Sequence, residues 1–148
     1  MSSRHVRREE TIGRGTLAFA RARALLFAYA FYPASLVTAP GPVVADMILR
    51  QKIRVGPLRF DGPVRVIEWW DEPTRAGYRY EALPGHVERG AAEFELSMVG
   101  DEVRFRIESR SEQAHWLARL GAPVARRVQR HAYAKAFEKM REACREFS

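Results

Sequence analysis

The order of patterns along the 148 residues predicts an α+β fold: an N-terminal helix, a curved antiparallel sheet, and a long C-terminal helix around which that sheet wraps. Three observations carry this. Apolar residues at helical spacing begin at Leu17 and stop before Pro33, alternating segments separated by Gly and Pro fill the middle, and a helical period returns over residues 123–147.

Residues 1–12 are polar and basic and read as a loose tail, leaving 13–148 as one domain. Gly13-Arg14-Gly15 leads into the first helix, with Thr16 placed to cap it and Leu17, Ala20, Ala24, Leu25, Ala28 and Phe31 as its apolar stripe. That helix is apolar over more than half its circumference, which predicts packing against a sheet. Residues 24–45 carry no charge, but Pro33, Pro40 and Pro42 interrupt any continuous membrane-spanning helix, so the stretch reads as a core helix and a loop.

Residues 47–55 place Met47, Leu49, Ile53 and Val55 on one face of a strand and Arg50, Lys52 and Arg54 on the other. Gly56-Pro57 and Asp61-Gly62-Pro63 punctuate a rim, and strands follow at 64–70 and 78–83. Residues 92–99 and 103–109 alternate on either side of Gly100-Asp101, a two-residue hairpin signal in which glycine supplies a positive φ. In that hairpin Phe94, Leu96 and Met98 face Val103, Phe105 and Ile107.

Ser111 then reads as the cap of a short helix carrying Trp116, Leu117 and Leu120, ended by Gly121. Pro123 suits the first turn of the last helix, where its missing N–H is not needed. Val124, Val128, Ala132, Ala136, Met140 and Phe147 form one stripe of that helix, with Tyr133, Phe137 and Cys144 beside it. At 1.5 Å per residue it is roughly 37 Å long, enough to cross a domain of this size.

Composition narrows the chemistry. One cysteine, Cys144, excludes an intramolecular disulfide, which makes a reducing, cytoplasmic setting the expectation. The formal charge of +7 comes from 25 basic residues of which 22 are arginine, scattered evenly enough to read as a solvated surface. His5, His86, His115 and His131 show no helical pairing and have no cysteine partner, so neither a zinc site nor another cofactor is expected. Neither a phosphate-cradling glycine loop nor a nucleophile-elbow serine is present.

The stretch Tyr78-Arg79-Tyr80-Glu81-Ala82-Leu83-Pro84-Gly85-His86, followed by Glu88 and Gly90, resembles the signature of an uncharacterised bacterial and plant family, domain of unknown function nineteen-ninety. Gly13 and Gly15, Arg65-Val66-Ile67 before Asp71-Glu72, Phe105 and Ile107 before Ser109-Arg110, and Pro123 with Gln129 extend the resemblance over residues 13–141. It implies a helix-grip fold, in the superfamily of START lipid-transfer domains, birch-pollen allergens and polyketide cyclases, with a cavity between sheet and last helix. Three departures stand out: Glu81-Ala82 where relatives have Gly-Thr, Val87 where they have proline, and Ala91-Ala92 where they have paired glutamates. A role of that acidic pair in relatives has no counterpart here.

Three readings of function follow. In the first, a small hydrophobic or amphipathic molecule is buried between sheet and helix, lined by Trp70, Tyr78, Tyr80, His86, Phe94, Phe105, Tyr133 and Phe137. In the second, His86 and Glu88 serve an enzyme of cyclase or hydrolase type, although a histidine after Pro84-Gly85 equally suits a turn whose carbonyls it caps. In the third, Arg119, Arg126, Arg127 and Arg130 meet nucleic acid or an anionic membrane, against the plainer reading of a solvated helix face. Oligomeric state is left open by the sequence.

Overall fold

A computed structural model of the chain describes residues 3–84, 88–113 and 122–145. Its elements are β1 (Ser3–Arg14), α1 (Thr16–Phe27), β2 (Val37–Thr38), β3 (Ile48–Val55), β4 (Leu58–Glu72), β5 (Arg75–Ala82), β6 (Glu88–Val99), β7 (Glu102–Gln113) and α2 (Ala122–Arg145). The strands form one antiparallel sheet in the order β1-β7-β6-β5-β4-β3-β2, with α1 and α2 on its inward face. The expected α+β order and the sheet wrapped on the C-terminal helix are both observed.

The hairpin of β6 and β7 follows the predicted register. Phe94 pairs with Ile107, Leu96 with Phe105 and Met98 with Val103, while Gly100 takes φ 64 in the two-residue turn. Phe94, Leu96, Val103, Phe105 and Ile107 are fully buried, each contributing about 1.5–3 kcal/mol by leaving water. Their outward neighbours are charged and paired across strands. Arg106 reaches Glu93 at 2.6 Å, Glu108 at 2.9 Å and Glu95 at 3.5 Å, so this arginine is held by carboxylates of both strands on the outer face.

Several expectations are corrected. Residues 3–14 are no loose tail but strand β1, paired along β7 from Ser3 with Glu112 to Arg14 with Glu102. Its charges, which made it read as a tail, are what an edge strand uses to discourage further pairing. Asp61-Gly62-Pro63 lies inside β4 rather than at a rim, with Pro63 opposite Arg50. The backbone tolerates this because the Pro63 carbonyl accepts from Leu83 N–H just past the end of β5, so the absent N–H falls where the ladder stops. Ser111 continues β7 instead of capping a helix, while Trp116, Leu117 and Leu120 lie outside the described residues.

Helix α1 is capped by Gly15, at φ 92, with no side-chain cap from Thr16. Its buried stripe is Ala18, Phe19, Ala22 and Leu26, whereas Leu17, Ala20 and Ala24 are exposed. A helix apolar over more than half its circumference does not fix its inner face by periodicity; of the expected stripe, Ala28 is exposed too, while Leu25 packs against the core and Phe31, beyond the helix, is fully buried.

Helix α2 is seated on the sheet by Phe137, whose ring lies 4.9 Å from that of Phe105, and by a charge cluster at the edge. Glu10 on β1 accepts hydrogen bonds from Arg8 of the same strand and Arg141 of α2, and the Arg8 guanidinium rests 4.7 Å over the Phe137 ring. Burial pushes the Glu10 carboxyl upward in pKa, but the two arginines outweigh it and leave it below the ordinary range. A depressed carboxylate stabilises the fold above its unfolded value, about pH 4, and that contribution fades as pH falls through the folded value. In urea denaturation the wild type is therefore expected to lose its advantage over Glu10→Gln between pH 7 and pH 3. A gap that stays constant with pH would remove this role from Glu10.

Candidate functional site

The inward faces of the three central strands change in size along their length. Register places Ala76, Tyr78, Tyr80 and Ala82 of β5, Gly90, Ala92, Phe94, Leu96 and Met98 of β6, and Val103, Phe105, Ile107, Ser109 and Ser111 of β7 on this face. Bulky residues fill the half nearest the β6–β7 turn, where they meet α1, Phe31 and α2. At the other half, Ala82, Gly90, Ala92, Ser109 and Ser111 leave a shallow wall.

Polar groups stand on either side of that wall. On one side the Gln51 side-chain amide donates from Nε2 to Tyr29 Oη at 2.6 Å and to Tyr80 Oη at 2.9 Å, and the two phenols lie 3.2 Å apart. On the other, Ser109 Oγ and Tyr133 Oη are 2.6 Å apart, and Gln129 Nε2 donates to both, at 3.3 and 3.4 Å. Every member of both groups is an uncharged hydroxyl or amide. Burial, with Tyr80 and other phenols adding to it, pushes the Tyr29 hydroxyl well above its ordinary range, so it stays a neutral donor.

Tyr29 is held in a strained conformation. It takes φ 53 immediately after α1, where the chain closes with Tyr29 N–H bonding the Leu26 carbonyl and Ala30 N–H bonding the Leu25 carbonyl. That left-handed position normally falls to glycine, and a tyrosine there costs of order 1–3 kcal/mol unless its surroundings hold it. Here they do. The side chain is 3% exposed, stacks edge-on against Phe31 and Phe94, and is bonded by Gln51, while Tyr78 Oη donates to the same Leu26 carbonyl at 2.9 Å.

Of the residues expected to line a ligand space, Phe105, Tyr133 and Phe137 lie where β7 meets α2, whereas Tyr78 packs on Leu26 and Phe27 of α1, and Tyr80 and Phe94 pack on Tyr29 and Phe31 just beyond that helix. Tyr78, Phe94 and Phe105 are wholly buried, against Phe27, Phe31 and Phe137 among others, and so form the floor rather than an open wall. Trp70 faces outward: it pairs with Gly77, its ring lies over that glycine, and Arg75 stacks on it. A bulge at Ile67 shifts the alternation of β4, so that Trp69 takes the inward position beside Phe27 and donates to the Val43 carbonyl.

His86 lies outside the described residues, as does the side chain of Glu88, whose backbone begins β6. Arg126, Arg127 and Arg130 are exposed on α2, and Arg119 is outside the described residues. No helix among the described residues is long and apolar enough to cross a membrane. Among the same residues no group of three or more His, Cys, Asp or Glu is placed to hold a metal ion.

Gln51 and Tyr29 were not singled out from the sequence, and Ser109 and Gln129 entered only as part of the family resemblance. Gln51 stands between Leu49 and Ile53 on the apolar face of its strand, and a polar residue in such a position signals a buried partner. That signal was available. Nothing local marks Tyr29 as its partner, since the two meet only through the sheet's curl.

A family profile described as Domain of unknown function (DUF1990) matches residues 1–139. By sequence, no curated protein matches the chain. Among solved structures, a Thermus thermophilus protein is similar at TM-score 0.69 and 13% identity, over 98% of this chain and 99% of that one. Norcoclaurine synthase from Thalictrum flavum, solved with dopamine and hydroxybenzaldehyde, is similar at TM-score 0.64 and 9% identity, over 99% and 89%. An aromatase/cyclase from Streptomyces is similar at TM-score 0.63 and 10% identity, over 97% and 94%. Identities this low establish a shared helix-grip fold and nothing finer.

Proposed function

The chain belongs to the family described as Domain of unknown function (DUF1990), and from that membership and its helix-grip fold we propose that it binds a small hydrophobic or amphipathic molecule between the sheet and α2. The observation that supports this reading is the graded inward face. Aromatic side chains make a floor, small residues recede above it, and neutral hydroxyl and amide groups flank the recess. A ligand site of this kind gains affinity from apolar burial and takes orientation from a few fixed polar groups. The fold is shared with a synthase solved with two aromatic compounds and with an aromatase/cyclase, which is consistent with such a site.

The test uses N-phenyl-1-naphthylamine, an uncharged dye that fluoresces on leaving water. We expect a saturable fluorescence rise with about one dye per chain, at micromolar affinity, and a co-purified mass in native mass spectrometry when the protein is isolated gently. Linear, unsaturating fluorescence together with a bare apo mass would overturn the proposal. The same titration across salt concentrations separates this reading from a polyanion-binding surface, since burial of an uncharged dye is insensitive to salt whereas phosphate contacts weaken steeply.

A further inference from the structure

The hairpin of β3 and β4 runs out past the strands beside it. Val55 pairs with Leu58 across the Gly56-Pro57 turn, whereas β5 meets β4 no nearer that turn than Val64, with Leu83 N–H reaching the Pro63 carbonyl. Among the described residues, 58–62 of β4 therefore have only β3 as a strand partner. At 3.4 Å per residue the tip stands roughly 17 Å clear of β5.

The two faces of this projection differ. Arg50, Lys52, Arg54 and Arg59 share the outer face and are all exposed, with Lys52 taken up by Asp61 opposite it. Among the described residues Arg50, Arg54 and Arg59 have no ion-pair partner, and Arg54 stands directly opposite Arg59. Further along the sheet, outward arginines meet carboxylates: Arg106 meets Glu93, Glu95 and Glu108, and Arg75 lies 3.2 Å from Glu95. Like charges facing each other across a ladder are destabilising, so the tip carries a cost that those strands avoid. Edge protection does not call for a single sign, since the edge strand β1 carries Glu9 and Glu10 among its arginines. The opposite face of the hairpin is apolar, with Ile53, Val55, Leu58 and Phe60. At the tip that face is wet: Leu58 is 45% exposed, and Gly56 and Pro57 next to it are exposed as well.

We propose that this tip docks on an anionic lipid bilayer, with Pro57 and Leu58 entering the headgroup boundary while Arg54 and Arg59 meet lipid phosphates just behind them. Unmatched cations select an anionic partner. An exposed leucine between the two arginines selects a bilayer over a nucleic acid, because phosphodiester strands offer a leucine no apolar phase to enter. Arg54, Leu58 and Arg59 are no part of the proposed ligand site, so the two proposals stand or fall separately.

Flotation of the whole chain with vesicles at about 0.1 M salt tests this. We expect binding to phosphatidylcholine vesicles containing about one-third phosphatidylserine, and little binding to phosphatidylcholine alone. Arg54→Gln with Arg59→Gln should weaken binding about thirty-fold, and Leu58→Ser about three- to ten-fold. The glutamine pair removes a like-charge contact, so its melting temperature should not fall, which separates lost docking from lost folding. Dye binding should be unchanged in both variants. Equal binding to the two kinds of vesicle, or binding to neither, overturns the proposal. Undiminished affinity in the arginine variant overturns it too, and a loss seen instead in Arg126→Gln with Arg130→Gln would place the contact on α2. Tighter binding to a random-sequence DNA duplex than to the anionic vesicles, unaffected by Leu58→Ser, would make the partner a nucleic acid and the proposal wrong.

Discussion

Ala92→Phe is expected to weaken binding of N-phenyl-1-naphthylamine at least about ten-fold while leaving the fold intact. The substitution places a benzyl ring in the recess that the ligand is proposed to occupy. Ala92 is half-buried, and its row and column neighbours on the inward face are Tyr80, Ser109, Gly90 and Phe94. Two of those four are small, so the ring has somewhere to lie without moving the backbone. The added apolar burial offsets part of any crowding, and we expect the melting temperature to change by no more than a few degrees. Ala91→Phe is the matched control. It sits one residue away on the same strand, opposite Arg110 and Glu81, and the two-residue period of a strand turns it to the outer face. Dye binding should be unaffected there. Undiminished binding by a folded Ala92→Phe protein, or equal losses in both variants, would show that the ligand space lies elsewhere.

The contrast between Ala91 and Ala92 shows which parts of this architecture the sequence makes readable. Where alternation runs unbroken, as in Phe94-Leu96-Met98 against Val103-Phe105-Ile107, the pattern specifies strand, register and inner face at once, because a slip of one residue would invert every side chain. Where a single residue is inserted, the same logic misleads. Val64, Val66 and Trp70 share parity, but the bulge at Ile67 hands the inward position to Trp69 and turns Trp70 out. Residues 3–14 were misread for a different reason. A charged segment carries no local sign that it will pair, and β1 exists because β7 offers it an edge. The candidate site was legible in part. Its aromatic floor followed from the resemblance and the strand pattern, and Tyr80 and Tyr133 were named in advance. Gln51 and Tyr29 are 22 residues apart and are brought together by the curled sheet and the turn after α1, so their pairing belongs to tertiary structure.

The close approach of β5 to β6 leaves no room for a side chain at Gly77, and Gly77→Ala is expected to be among the most destabilising single substitutions available in this chain. Gly77 lies in the middle of β5, between Trp70 of β4 and Glu95 of β6. A Cβ at that position would come within 2.3 Å of the Phe94 carbonyl oxygen and 2.6 Å of the Trp70 ring. The ring could shift, since Trp70 faces outward, but the carbonyl belongs to the ladder that holds β5 to β6. Strand glycines mark places where backbones approach closely or a sheet bends sharply, and the first of these holds here, beside Tyr78 and Phe94. Forcing the strands apart would disturb the packing of those two wholly buried rings, which lie 5.5 Å apart by centroid. Overpacking of this kind costs about 1–3 kcal/mol and more where backbone must move, which for a domain of this length lowers the melting temperature by roughly 5–10 °C. Thermal denaturation followed by circular dichroism measures it. The double variant Gly77→Ala with Trp70→Ala separates the two contacts: relief of the ring alone should recover little, because the carbonyl remains. A single variant that melts within about 2 °C of the wild type, or a full recovery on removing Trp70, would mean that the close approach of β5 to β6 does not depend on the missing side chain at this position.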